Sequence, residues 1–196
     1  MSPSDSYEPV AIRGRQGWTP DARLHAASQL RSRLQGKVTV RDVAKAGAEY
    51  FQELLDARTV SISMHEDEQY RELVNVGYLP RPDSWYPADS VYPDSLFPLA
   101  TQDLHEYGGY FTSDLDDPKY QEFVGSRHDP EVTSIMGIAI VTAGSLRGEV
   151  FLTRGREQKA FDRDDLGLAR DLATSFGGAM QTAARKASAK ARKPTG

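Results

Sequence analysis

Apolar residues along this chain recur first at helical spacing, then at every second position, and then at helical spacing again. A helix opens at Thr19-Pro20, a capping residue followed by proline at the first helical position. Leu24, Ala27, Leu30 and Leu34 follow along one face, and Gly36 stops it. A second helix starts at Thr39, with Asp42 three residues on as capping partner. Its stripe is Val40, Val43, Gly47, Tyr50, Phe51, Leu54 and Leu55. The period then changes to two. Val60, Ile62 and Met64 alternate with Thr59, Ser61, Ser63 and His65, which predicts a half-buried strand. Residues 72–79 read as its partner, with Val74, Val76 and Tyr78 on one face.

The last third is equally regular. Residues 132–142 are apolar on both faces, as expected of a central strand covered by helices. Ala143-Gly144-Ser145 forms a turn, and 146–153 returns as the second arm of a hairpin. Phe161-Asp162 then begins a long helix, with Asp162 as its cap and Asp164 and Asp165 at its positive end. Phe161 can staple onto Leu166, and Leu166, Ala169, Leu172, Ala173, Phe176, Met180 and Ala183 form the stripe. Antiparallel strands with helices before and after predict an α+β layered domain over residues 19–183. Residues 1–18 read as a flexible leader and 184–196 as a basic tail.

Between the two hairpins lies a segment of another kind. Five prolines between Pro80 and Pro98 argue against long helices or central strands there. A short strand fits residues 109–113 and a short helix fits 118–124, where Asp116 or Asp117 is the natural cap. Residues 78–123 carry nine acids against two bases, a charge of −7, which leaves +3 for the rest of a chain whose net charge is −4. The same window holds 10 of the 18 aromatics.

Composition then removes whole classes. With 196 residues the chain can bury a real core. Zero Cys excludes disulfides, thiolate metal sites and cysteine nucleophiles. No stretch has the length or apolarity of a membrane span, and the opening MSPSDSYEPV is not a secretory signal, so a cytoplasmic location is expected. Arg185, Lys186, Lys190, Arg192 and Lys193 make the tail basic, but without aromatic interleaving they argue for a solvated helix end rather than a nucleic-acid site.

The order of elements resembles a GAF domain, a small-molecule sensor module. The resemblance is carried by 40–55 leading into 60–65, by 135–141, and by Gly148-Glu149-Val150-Phe151-Leu152. A short charged loop and Phe161-Asp162-Arg163-Asp164-Asp165-Leu166 before an apolar helix complete it, so that it covers residues 20–182. It implies an antiparallel sheet of about six strands, N- and C-terminal helices on one face, and an irregular lid roofing a pocket on the other. It also implies frequent homodimerisation through the terminal helices, for which the Leu24/Leu34 and Leu172/Phe176 stripes are the surfaces expected. The sulfoxide-reducing and bilin-bearing members work through cysteine, which this chain lacks. No run matches the Asn-Lys-Xaa-Asp-Glu type signature of the cyclic-nucleotide binders.

The site residues expected on these grounds are Trp85, Tyr86, Tyr92, Phe97, His105, Tyr110, Asp114 and His128. The aromatics suit a pocket wall, and they equally suit an irregular lid that needs its own anchors. The spacing of the four histidines does not predict a metal cluster, although one axial His would suffice for haem. Asp114, Asp116 and Asp117 lack the glycine turn and distal glutamate of a calcium loop. The negative lid disfavours anionic ligands unless Arg81 or Arg127 points inward. The function expected is non-catalytic: a regulatory module binding a small molecule or a regulatory protein partner, of unknown cofactor. The alternatives are a purely structural interaction protein, a haem-binding sensor, and an enzyme using lid aspartates with His105 or His128 as acid and base.

Overall fold

The computed structural model describes residues 17–77, 87–126 and 129–191. Two helices, α1 (Pro20–Leu34) and α2 (Val40–Leu54), precede a hairpin of β1 (Thr59–Glu66) and β2 (Gln69–Gly77). A short strand β3 (Val91–Pro93), a 3-10 turn (Asp94–Leu96), α3 (Pro98–Tyr107), β4 (Gly109–Thr112) and α4 (Pro118–Ser126) follow. The long hairpin of β5 (Val132–Thr142) and β6 (Ser145–Gly155) and the helix α5 (Arg163–Ala191) complete the order. The strands form one six-stranded sheet, β3-β2-β1-β6-β5-β4, and every described pairing is antiparallel.

The three long helices cover one face. The Thr19 and Thr39 hydroxyls accept from the amides of Ala22 and Asp42, so both caps read from the sequence are present. Tyr50 donates to the Ala26 carbonyl at 2.9 Å and ties α2 to α1, while Phe51 meets Phe176 of α5 edge-on at 6.0 Å. Val60 and Ile62 of β1, Ile138 and Ile140 of β5, and Val150 and Leu152 of β6 supply the sheet's side of this core.

Three expectations need correction. Leu24 does not lie on the buried stripe: it is 66% exposed, and Ala26, Leu30 and Leu34 face the core. Leu34, Leu172 and Phe176 are buried within the domain, so they cannot also be a pairing surface. Trp18, placed by the sequence in the leader, is buried and donates its indole N–H to Asp165 at 3.3 Å.

The end of the sheet is pinned by a buried ion pair. Arg154 of β6 meets Asp165 of α5 at 2.8 Å, with the two side chains 3% and 0% exposed. Arg154 also donates to the carbonyls of Leu55 and Lys159, and its guanidinium lies 4.1 Å from the centre of the Phe161 ring. Asp162 caps α5 through the amides of Asp164 and Asp165. Asp165 is therefore an anchor for the strand as well as a first-turn acid.

On the other face, residues 91–126 form a lid more regular than the prolines suggest. Pro98 starts the ten-residue α3 instead of breaking it, because its missing N–H falls where no helical acceptor exists. Asp117 caps α4 by accepting from the Lys119 amide at 2.8 Å. Glu122 of α4 in turn accepts from the Leu99 and Ala100 amides at 3.1 and 3.3 Å, capping α3 from outside its own sequence.

Candidate functional site

Between this lid and the sheet lies an aromatic layer. Its sheet-side members arrive by two devices. In β6, simple alternation turns Glu149 and Phe151 to the lid while Val150 and Leu152 face the helices. In β2, alternation alone would put residues 70, 72, 74 and 76 on one face. The register against β1 instead shifts between Ile62 and Ser63, leaving Leu73 as an extra residue. That bulge sends Leu73 and its C-terminal neighbours to the helix core and turns Tyr70 and Glu72, both buried, toward the lid.

The aromatic layer encloses a small cavity. Tyr92, Phe97, Tyr110, Phe123 and Phe151 form its apolar wall, with Ala100. Thr101, Lys119 and Glu149 supply its polar groups. The rings are mutually seated: Tyr92 and Phe97 meet edge-on at 5.9 Å, and Phe123 tilts over Phe151 at 5.5 Å. The space left open is ≈ 20 Å³, room for about one water.

The polar groups are held by hydrogen bonds and ion pairs. Tyr110 donates to the Glu149 carboxylate at 3.1 Å, and Tyr92 donates to buried Glu72 at 3.3 Å. Tyr70 and Thr101 share a hydrogen bond of 3.2 Å between sheet and α3. Lys119 lies 3.3 Å from Asp103 and 3.7 Å from Asp117, so its charge is compensated within the lid. Burial, with Glu149 adding to it, pushes the Tyr70 phenol well above the ordinary tyrosine range. The arrangement is an aromatic box whose few polar groups are partnered by neighbouring side chains.

Of the residues expected from the sequence, Tyr92, Phe97 and Tyr110 converge on this cavity. His105 and Asp114 do not. His105 is exposed on α3 and faces the His65 ring at 5.8 Å, and exposed Asp114 accepts from the Asp116 amide inside its own turn. Trp85, Tyr86 and His128, with Arg81 and Arg127, lie outside the described residues. The fold also brings two histidines that are far apart in sequence close together, and His65 sits 3.5 Å from Asp94 of the lid. Among the described residues no group of three side chains is arranged to hold a metal ion, and no helix is long and apolar enough to cross a membrane.

Glu149, Phe151, Thr101, Lys119 and Phe123 were not singled out by the sequence. A signal existed for two of them. Glu149 and Phe151 stand two positions apart on the hairpin arm read over 146–153, so alternation puts them on one face.

Neither a family profile nor a curated protein sequence matches the chain. Solved structures do. The GAF domain of an Acinetobacter phosphoenolpyruvate-protein phosphotransferase is 13% identical, with a TM-score of 0.66 over 91% of this chain and 100% of that one. The GAF domain/HD domain protein from Geobacter sulfurreducens is 19% identical, with a TM-score of 0.60 over 78% and 99%. The chromophore-binding domain of an unusual bacteriophytochrome from R. palustris is 12% identical, with a TM-score of 0.63 over 85% and 63%. With TM-scores of 0.60–0.66 over most of its length against these structures, the chain has the fold of a GAF domain.

Proposed function

We propose that the chain is a sensory or regulatory GAF module without catalysis of its own, which takes a small molecule into the aromatic cavity and pairs as a homodimer. The observation that carries this reading is the convergence of five aromatic rings with Thr101, Lys119 and Glu149 between lid and sheet. Likeness to a chromophore-binding domain supports it at the level of fold.

A volume of ≈ 20 Å³ holds no organic ligand, so binding requires α3 and the 3-10 turn to move away from the sheet. Such a lid converts occupancy into a shape change, which is what a sensor needs. The acidic surroundings favour a neutral or cationic, partly aromatic ligand. For the dimer, the outer face of α1 carrying exposed Leu24 is the surface proposed.

Native mass spectrometry of the purified protein, followed by a thermal-shift panel of metabolites, tests both halves. A retained small molecule or a selective rise in melting temperature supports the sensor reading, and a dimer lost on Leu24→Arg supports the pairing. No retained ligand and no shift across the panel would overturn the sensor reading. The second reading, an interaction protein with its lid packed shut, would then stand, and the small size of the cavity favours it.

A further inference from the structure

A second concavity lies across the sheet from the aromatic cavity, on the helix face. It is a groove of ≈ 580 Å³ between the start of α2, the hairpin end of β1, β5 and β6, and the last turns of α5. Its floor is apolar: Val40, Met64, Ile140 and Met180. Arg147 and Arg185 also line it. Neither guanidinium has an ion-pair partner among the described residues, whereas buried Arg154 and several surface arginines do.

Arg147 reaches the groove through a local irregularity. Glu149 and Phe151 face the aromatic cavity, so strict alternation would send Arg147 there too. The β5–β6 register shifts between Ile140 and Val141, pairing Ile140 with Gly148 and Val141 with Leu146. Arg147 is the extra residue of this bulge and shares the groove with Ile140. Gly148 beside it has no room for a side chain, since a Cβ would lie 2.1 Å from the Ser63 carbonyl oxygen. A re-aimed cation and a second cation now face the same apolar floor.

We propose that this groove binds a free amphiphilic carboxylate of the fatty-acid type. The chain lies over Val40, Met64, Ile140 and Met180, and the carboxylate is taken by Arg147 and Arg185. Guanidinium groups match carboxylates with paired, charge-assisted hydrogen bonds. A neutral or cationic amphiphile would leave both charges without a partner. The recessed floor suits a single free molecule better than a flat bilayer surface. This site is separate from the aromatic cavity and does not depend on the ligand reading given to that cavity.

Calorimetric titration of the full chain with laurate, kept below its aggregation concentration, tests the proposal. The expected result is saturable one-to-one binding, weakened at least tenfold in Arg147→Ala/Arg185→Ala and abolished by Ala184→Trp, which fills the groove. Both sets change exposed positions, and unchanged melting temperatures confirm that the variants fold. Dodecanol and dodecyltrimethylammonium should bind at least tenfold more weakly. Three results would overturn the proposal: no saturable binding of laurate, equal affinity in the double variant, or association with phosphatidylglycerol vesicles but not with laurate.

Discussion

Tyr110 and Glu149 meet at 3.1 Å over a position that has no side chain, Gly137. A Cβ on Gly137 would stand 2.4 Å from the Glu149 carboxylate and 2.4 Å from the Tyr110 ring. The glycine is thus what lets a tyrosine of β4 reach across β5 to a carboxylate of β6. Gly137→Ala is expected to destabilise the domain by about 1–3 kcal/mol through overpacking. Tyr110→Phe, which keeps the ring, should cost about 1 kcal/mol. Urea denaturation of both variants checks the order, and a Gly137→Ala protein as stable as the parent would show that the pair is not confined in this way.

The Arg154–Asp165 pair is the fold's most deeply buried ionic contact among the described residues. Removing one partner leaves the other charge in the core, so Arg154→Met is expected to cost about 3–5 kcal/mol. Arg154→Met combined with Asp165→Leu removes both charges and should recover part of that loss, although the bonds from Arg154 to the Leu55 and Lys159 carbonyls stay broken. The melting temperatures of the single and double variants give the comparison. A double variant less stable than the sum of its singles would argue against charge burial as the cause.

How far the fold was legible depended on period. Helices with caps at Thr19, Thr39 and Asp162, and strands such as 132–142, announce themselves through regular apolar spacing, and the structure has them where the pattern put them. What was not legible breaks the period. The bulge at Leu73 splits the face that strict alternation assigns to residues 70, 72, 74 and 76, and so hides Tyr70 and Glu72 from any alternating pattern. Pro98 reads as a breaker unless one knows that a helix begins there. The aromatics of the site, Tyr92, Phe97 and Tyr110, were visible as composition. Their polar companions Glu149, Thr101 and Lys119 come from three separate elements, and only the register of the sheet and the docking of α3 and α4 bring them together.

Tyr70 gives the site a handle at high pH. Burial first, and Glu149 second, raise its phenol above the ordinary value of 10.0. A group whose folded value is raised contributes stability that is complete below its unfolded value and is lost as pH climbs toward the folded one. Stability should therefore hold to about pH 10 and fall above it. Tyr70→Phe should flatten that alkaline fall while losing the bond to Thr101. Denaturation midpoints at several alkaline pH values, for parent and variant, measure the difference, and parallel curves would show that Tyr70 is not responsible.

The lid should open as a unit by itself. Glu122 of α4 holds the N-terminus of α3 through the Leu99 and Ala100 amides, a cap supplied by another helix. Glu122→Ala leaves those donors to water and should weaken the α3 cap by about 0.5–2 kcal/mol, the range for losing a capping side chain. Because the helix core on the other face of the sheet does not contain α3, the loss should appear locally. Amide exchange in α3 should then speed up by about 5- to 30-fold at the upper part of that range, with β5 and β6 unchanged. Hydrogen–deuterium exchange resolved by segment reads this directly. Faster exchange spread evenly over α3, β5 and β6 would mean that lid and sheet open together, and the cavity could then admit a ligand only by global unfolding.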